Sequence, residues 1–121
     1  MDNANRLNPG ALAFLGDSVY SLLVREMLAE KNLPLKELHS RSLKFVSAPA
    51  QAAAYEKIKA FLSEAENDIF HRGRNLHTNN VPKSATQAEY HIATGLECLF
   101  GYLYLAGEKE RIKYLFKIIS E

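Results

Sequence analysis

Apolar residues along this chain recur mostly at intervals of three and four, the period of an amphipathic helix, and the alternation expected of strands is nearly absent. Behind Asn8-Pro9, a cap followed by a first-turn proline, Leu12, Leu15, Val19, Leu22 and Leu23 keep this period and predict a helix over about 9–29. Asn32-Leu33-Pro34 interrupts it, and a shorter helix is expected over about 35–45, with Leu35, Leu38, Ser42 and Phe45 roughly on one side. Ser47 offers the next cap, and the alanine-rich run 48–62 has high intrinsic helix propensity. Ser63-Glu64-Ala65-Glu66 has the form of a capping box opening a helix to about residue 74. Periodicity then lapses over 75–82, where Leu76-His77-Thr78-Asn79-Asn80-Val81 favours turns. Ser84-Ala85-Thr86-Gln87 reads as a second capping box, heading a long apolar helix to Ala106 that Gly107 ends; 109–120 makes the last helix. The sum is an all-α fold of six or seven helices without internal repeat, heptad seam or linker.

Composition adds limits to this picture. With 121 residues, 47% hydrophobic, and 15 Lys+Arg against 14 Asp+Glu, the chain suits one globular domain over 1–121 that needs neither metal nor disulfide for stability. The lone Cys98 cannot close an intrachain bridge, and Met1-Asp2-Asn3-Ala4-Asn5-Arg6 lacks the regions of a signal peptide, so the cytoplasm is the expected location. Two stretches, 7–24 and 90–107, approach the length of a membrane span, but each carries a carboxylate near its middle and several other polar groups.

Those two carboxylates are the candidate chemistry. Asp17 is the only charge between Arg6 and Arg25, with Ala13, Tyr20, Ser21 and Val24 as helical neighbours. Glu97 is the only charge between Glu89 and Glu108, flanked at helical spacing by Ala93, Thr94, Gly101 and Tyr104. A lone buried carboxylate must hydrogen-bond, pair with a base or meet a cation, and no base stands beside either one. Spacing alone leaves two readings open. Each acid caps a neighbouring helix or bonds Tyr20, Tyr102 or Tyr104, or the two converge and share a proton or a metal ion. Oxygen-only ligation would favour Mg²⁺ or Mn²⁺ over zinc.

Ala11-Leu12-Ala13-Phe14-Leu15-Gly16-Asp17-Ser18-Val19 resembles the Leu-x-Phe-Leu-Gly-Asp-(Ser/Ala)-Val signature of the ribonuclease III endonuclease domain, whose aspartate is a metal ligand. Leu38-x-x-x-Ser42-x-x-x-Val46-Ser47 and the alanine-rich run after it look like the family's second helix pair. Leu96-Glu97-Cys98-Leu99-Phe100-Gly101-Tyr102-Leu103-Tyr104-Leu105 is similar to the segment bearing its catalytic glutamate, and the order and separation also match. Within the family the chain is most similar to the mini-ribonuclease III branch, which lacks a double-stranded-RNA-binding domain. Arg72-Gly73-Arg74-Asn75 and Val81-Pro82-Lys83 resemble two elements of that branch, with Asn80 where a threonine is usual. Ala13 and Thr94 stand where larger relatives carry further acids, and Ser21 replaces another, leaving two anionic ligands.

The resemblance implies a homodimeric, Mg²⁺-dependent endoribonuclease, with Mn²⁺ as a substitute, that cuts double-stranded or structured RNA to 5′-phosphate and 3′-hydroxyl ends. Its substrate would be the large-subunit (23S) ribosomal RNA precursor. Asp17 and Glu97 would be catalytic and hold the metal. Phe14, off the Leu12–Leu15–Val19 stripe, would enter the partner protomer. Residues 69–88 contain Arg72, Arg74 and Lys83 and no acid, a local charge of +3 that leaves −2 on the rest of the chain. With Asn75 they form the expected RNA-binding segment; on composition alone, three cations on a loop are equally an ordinary solvated surface. A catalytically silent RNA- or ribosome-binding domain and a helical protein-interaction module are the alternatives.

Other residues suggest structure. His39 and His91 make no Glu-x-x-His pair, Cys98 reads as a packed thiol, and most of the six Tyr and six Phe fall at core spacings. Gly16, Gly95 and Gly101 read as points of close helix approach, because no phosphate-loop spacing surrounds them.

Overall fold

The helical period carries through to the structure. A computed structural model describes residues 7–76 and 85–121, and among these it has six α-helices and one 3₁₀ turn, with no strand. They are α1 (Pro9–Ala29), α2 (Leu35–Val46), α3 (Ala48–Ile58), the turn Lys59–Phe61, α4 (Glu64–Arg74), α5 (Gln87–Leu105) and α6 (Lys109–Ser120). Asn8 caps α1 by accepting from the Ala11 amide at 2.8 Å, with Pro9 in the first turn. Asn32 takes a left-handed φ of 53° at the break before Pro34, and Gly107 a φ of 75° between α5 and α6.

Three local readings need correction. The capping box of α5 belongs to Thr86 and Glu89, each side chain accepting from the other's backbone amide, and Ser84 lies outside the described residues. The alanine-rich helix ends at Ile58 and passes into the tighter turn Lys59–Phe61. The stripe on α1 is also rotated. Leu12, Ala13, Gly16, Val19, Tyr20, Val24 and Leu28 are buried, whereas Leu22 is exposed, because the face turned inward centres on Gly16. Most of the aromatic residues are expected in the core, but Phe61, Tyr104 and Tyr114 are exposed; Phe14, expected off the core stripe, is exposed as well. No residue of α2 is fully buried.

Helix α5 is the central element, packed against α1, α4, α3 and α6. Most of its residues from Ala93 to Leu103 are buried, and Tyr20 meets Phe100 and Phe116 edge-to-face with ring centroids 5.3 and 5.8 Å apart. The crossing of α1 over α5 is fixed by two glycines. A methyl at Gly16 would overlap the Glu97 carbonyl, and one at Gly101 would overlap the Leu12 carbonyl, so the two backbones touch with no side chain between them. Gly73 and Gly95 make a similar approach between α4 and α5. No helix among the described residues is long and apolar enough to cross a membrane.

One partly buried ion pair locks the α4 end of this arrangement. Arg111 Nε donates to Glu66 Oε2 and its Nη2 to Glu66 Oε1, both at 2.8 Å, while the same Nη2 donates to the Phe61 carbonyl and Ser63 N–H to Glu66 Oε1. Burial pushes the Glu66 carboxyl up, but the bonds from Arg111 and Ser63 outweigh it and hold the group below its usual range. Its stabilising contribution is therefore complete above the unfolded carboxyl's pKa and lost as pH falls through the lower folded value. Glu66→Gln should cost about 2 kcal/mol near neutral pH by urea denaturation. The deficit should shrink on acidification, and a gap independent of pH would remove the ion pair as its cause.

Candidate active site

The glycine crossing decides where the two candidate carboxylates go. Asp17 follows Gly16 directly, and the backbone that Gly16 touches is that of Glu97, so the two acids are brought side by side on adjacent helices. Asp17 is exposed, which corrects its reading as a lone buried carboxylate, and Glu97 is half-buried. The Glu97 carboxyl is pushed up to about 7, chiefly by burial and further by the charge of Asp17, with a hydrogen bond donated by Gln51 pulling the other way. These acids therefore converge as the second of the two open readings requires.

Tyr20, one of the alternative partners, does not take up either acid. Its hydroxyl is buried and finds no hydrogen-bond partner among the described residues; burial, with the Glu97 charge added, pushes its ionisation well above the usual tyrosine range. The partner of Glu97 is instead Gln51, whose Nε2 donates to Glu97 Oε2 at 3.2 Å. Sequence reasoning passed over Gln51 as part of a helix-forming run. The available signal was that it is the one long polar side chain in Ala48-Pro49-Ala50-Gln51-Ala52-Ala53-Ala54.

Ala13 and Thr94 add nothing to the ligand set. Ala13 is packed with Leu12, Ile69 and Cys98, and the Thr94 hydroxyl donates to the Tyr90 carbonyl at 3.0 Å. No cluster of three or more His, Cys, Asp or Glu side chains that could hold a metal occurs among the described residues. Two adjacent carboxylates, one half-buried and neither offset by a cationic side chain among the contacts described, still suit a hard cation, and the donors are all oxygen.

The expected RNA-binding residues are only partly brought to this place. Gly73 closes on Thr94, Gly95 and Cys98, so Arg72 and Arg74 flank a contact within one helical turn of Glu97 along α5. Both arginines and Asn75, which follows α4, are exposed. Arg72 Nη2 donates to the Leu7 carbonyl at 3.2 Å, so part of its donor capacity serves the fold. Lys83 lies outside the described residues, as do His77 and Val81-Pro82. Burial pushes the Cys98 thiol up to about 11 despite the Arg72 charge, as befits a packed thiol. Phe14 is 84% exposed on α1.

Residues 10–108 match the family model described as "Ribonuclease III domain". The chain belongs to the ribonuclease III family. This ribonuclease III domain is 49% identical over 113 residues to a protein named "Mini-ribonuclease 3" of Thermoanaerobacter sp. (strain X514), covering 93% of this chain and 80% of that protein. It is 42% identical over 120 residues to another protein of the same name from Symbiobacterium thermophilum, covering 98% and 92% respectively. Its fold matches a crystal structure of a Fusobacterium nucleatum protein with a TM-score of 0.87 at 32% identity, covering 94% of this chain and 92% of that one. As a ribonuclease III domain the chain is an endoribonuclease.

Proposed function

We propose that this endoribonuclease cleaves double-stranded or structured RNA with Mg²⁺ held by Asp17 and Glu97, leaving 5′-phosphate and 3′-hydroxyl ends. One observation carries the reading: the Gly16–Gly101 crossing sets Asp17 beside a half-buried Glu97 in a chain of this family. When bound, Mg²⁺, or Mn²⁺ in its place, makes water more acidic and offsets negative charge on the phosphodiester. The residues do the rest. Asp17 and Glu97 would supply two oxygen donors, and a cation held there would relieve the repulsion that, with burial, raises the Glu97 carboxyl. With only two such donors, water or phosphate oxygens of the RNA would have to complete the coordination, so metal affinity should be modest without RNA.

In this reading 1–121 acts as one catalytic domain that grips the duplex itself. Arg72, Arg74, Asn75 and Lys83 form its phosphate-binding edge, supported by the position of Arg72 and Arg74 beside the α4–α5 contact. Two copies associate as a homodimer through α1, with Phe14 inserted into the partner, since an aromatic ring so exposed is covered most economically by another apolar surface. The natural substrate, as the sequence resemblance implies, is the large-subunit ribosomal RNA precursor, cut in the cytoplasm.

The test is incubation of the full chain with a long RNA duplex and millimolar-range Mg²⁺ beside a chelator control, with the product ends determined. Metal-dependent cuts leaving 5′-phosphates are expected, and an intact duplex would reject the reading. The RNA-binding edge is tested separately with Arg74→Ala combined with Lys83→Ala. Binding should weaken for every duplex sequence, and the slope of log K against log salt should become shallower by about 2 for each protomer on the duplex, about 4 for the dimer. An unchanged slope would take the edge out of the binding surface.

A further inference from the structure

Beneath the two acids lies a polar side chain that has no reason to be buried unless it is used. Gln51 is 2% exposed, on α3, a helix that is otherwise largely alanine at its start. Its Nε2 donates to the Val46 carbonyl at 3.1 Å and to Glu97 Oε2 at 3.2 Å. The Val46 carbonyl can only accept, so the NH₂ group must face it, and the same nitrogen reaches Glu97 Oε2. The Val46 carbonyl belongs to the last turn of α2 and has no helical partner of its own, so one bond anchors Gln51 to the α2–α3 corner and the other reaches the site. The carboxamide oxygen is buried and finds no partner among the described residues, a cost that pure packing would avoid with leucine or methionine.

Resting on the assignment of Asp17 and Glu97, we propose that Gln51 is a positioning residue of the site, tethering the Glu97 carboxylate to the α2–α3 corner and holding it in the orientation that faces Asp17. A glutamate has three side-chain torsions, and a carboxylate left free to rotate would present a two-donor site only part of the time. Fixing one oxygen from behind removes that freedom without adding a ligand or a charge. Third-helix residues thereby take part in a site whose two acids come from α1 and α5.

The experiment uses Gln51→Met, which preserves volume and removes both N–H donors, and measures two things on the full chain. The first is cleavage of duplex RNA, separated into kcat and KM. The second is the affinity of the RNA-free protein for Mn²⁺, by titration calorimetry. We expect kcat to fall about ten- to a hundredfold with KM within about threefold, and Mn²⁺ to bind about tenfold more weakly, while the helical circular dichroism stays as in the wild type. Gln51→Leu, equally without donors, replaces it should the methionine variant be unfolded. A folded variant with wild-type kcat and Mn²⁺ affinity would overturn the proposal, as would a fall in kcat matched by lost helicity with Mn²⁺ affinity unchanged. If the wild-type protein leaves duplex RNA intact, the substrate assignment fails by itself, and the Mn²⁺ comparison still decides the tether.

Discussion

Asp17→Asn and Glu97→Gln should each reduce duplex cleavage by on the order of a thousandfold or more, with secondary structure and association state unchanged. The two variants reach this result from different surroundings. Asp17 is exposed, and its replacement leaves the glycine crossing intact. Glu97 is half-buried and raised by burial, so a neutral amide of the same shape is easier to accommodate than the carboxylate it replaces. A stability at or slightly above wild type is therefore expected for Glu97→Gln, and that combination of retained fold with lost cleavage separates a role in the chemistry from a role in folding. Retained cleavage at saturating Mg²⁺ in either variant would end the assignment.

Gly16→Ala should be the most damaging single methyl in the molecule. The added carbon meets the Glu97 carbonyl and crowds the Gly101 amide, backbone groups that cannot turn aside as a flexible side chain would. Relief requires α1 to lift from α5, and because α5 carries the centre of the core, the cost should be several kcal/mol, roughly a third or more of the stability of a small domain. A strong drop in Tm, or failure to fold, should accompany loss of cleavage. Gly10→Ala is the matched comparison: its nearest neighbour is the Asn8 cap oxygen at 3.2 Å, so the loss is limited to about the 1 kcal/mol of that cap, partly offset by alanine's higher helix propensity, and its Tm should fall far less. Similar Tm values for the two variants would show that the α1–α5 approach is looser than the backbone contact implies.

Much of this arrangement is legible in the sequence, and the parts that are not have a common physical origin. Helices α1 and α6 have the bounds that capping and periodicity predict, because Asn8-Pro9, Gly107 and the apolar spacing all act locally. The single lonely carboxylates of α1 and α5 point to the site for the same reason: an acid in an uncharged helix is visible without knowing its neighbours. What periodicity does not reveal is which way a nearly all-apolar helix turns. Leu22 continues the leucine stripe and yet faces outward, since the crossing selects the glycine face and not the bulkiest one. Gln51 escaped notice because its meaning lies 46 residues away on another helix. Thr86 rather than Ser84 caps α5 because its partner acid sits at Glu89, three residues on, where the reciprocal bonds can close.

The crossing at Gly16 and Gly101 has one more consequence, for the order in which the chain acquires its properties. The residues that touch there lie about 80 positions apart, so their meeting closes a long loop whose entropy must be met before any contact repays it. Helices α1 to α4 can form and associate locally while that closure is still pending. Only when α5 is seated does Asp17 acquire Glu97 as its neighbour, so the proposed assignment makes cleavage a late property of folding. On the proposed assignment, a chain in which α5 is not yet seated holds Asp17 without Glu97 beside it and would not cut RNA.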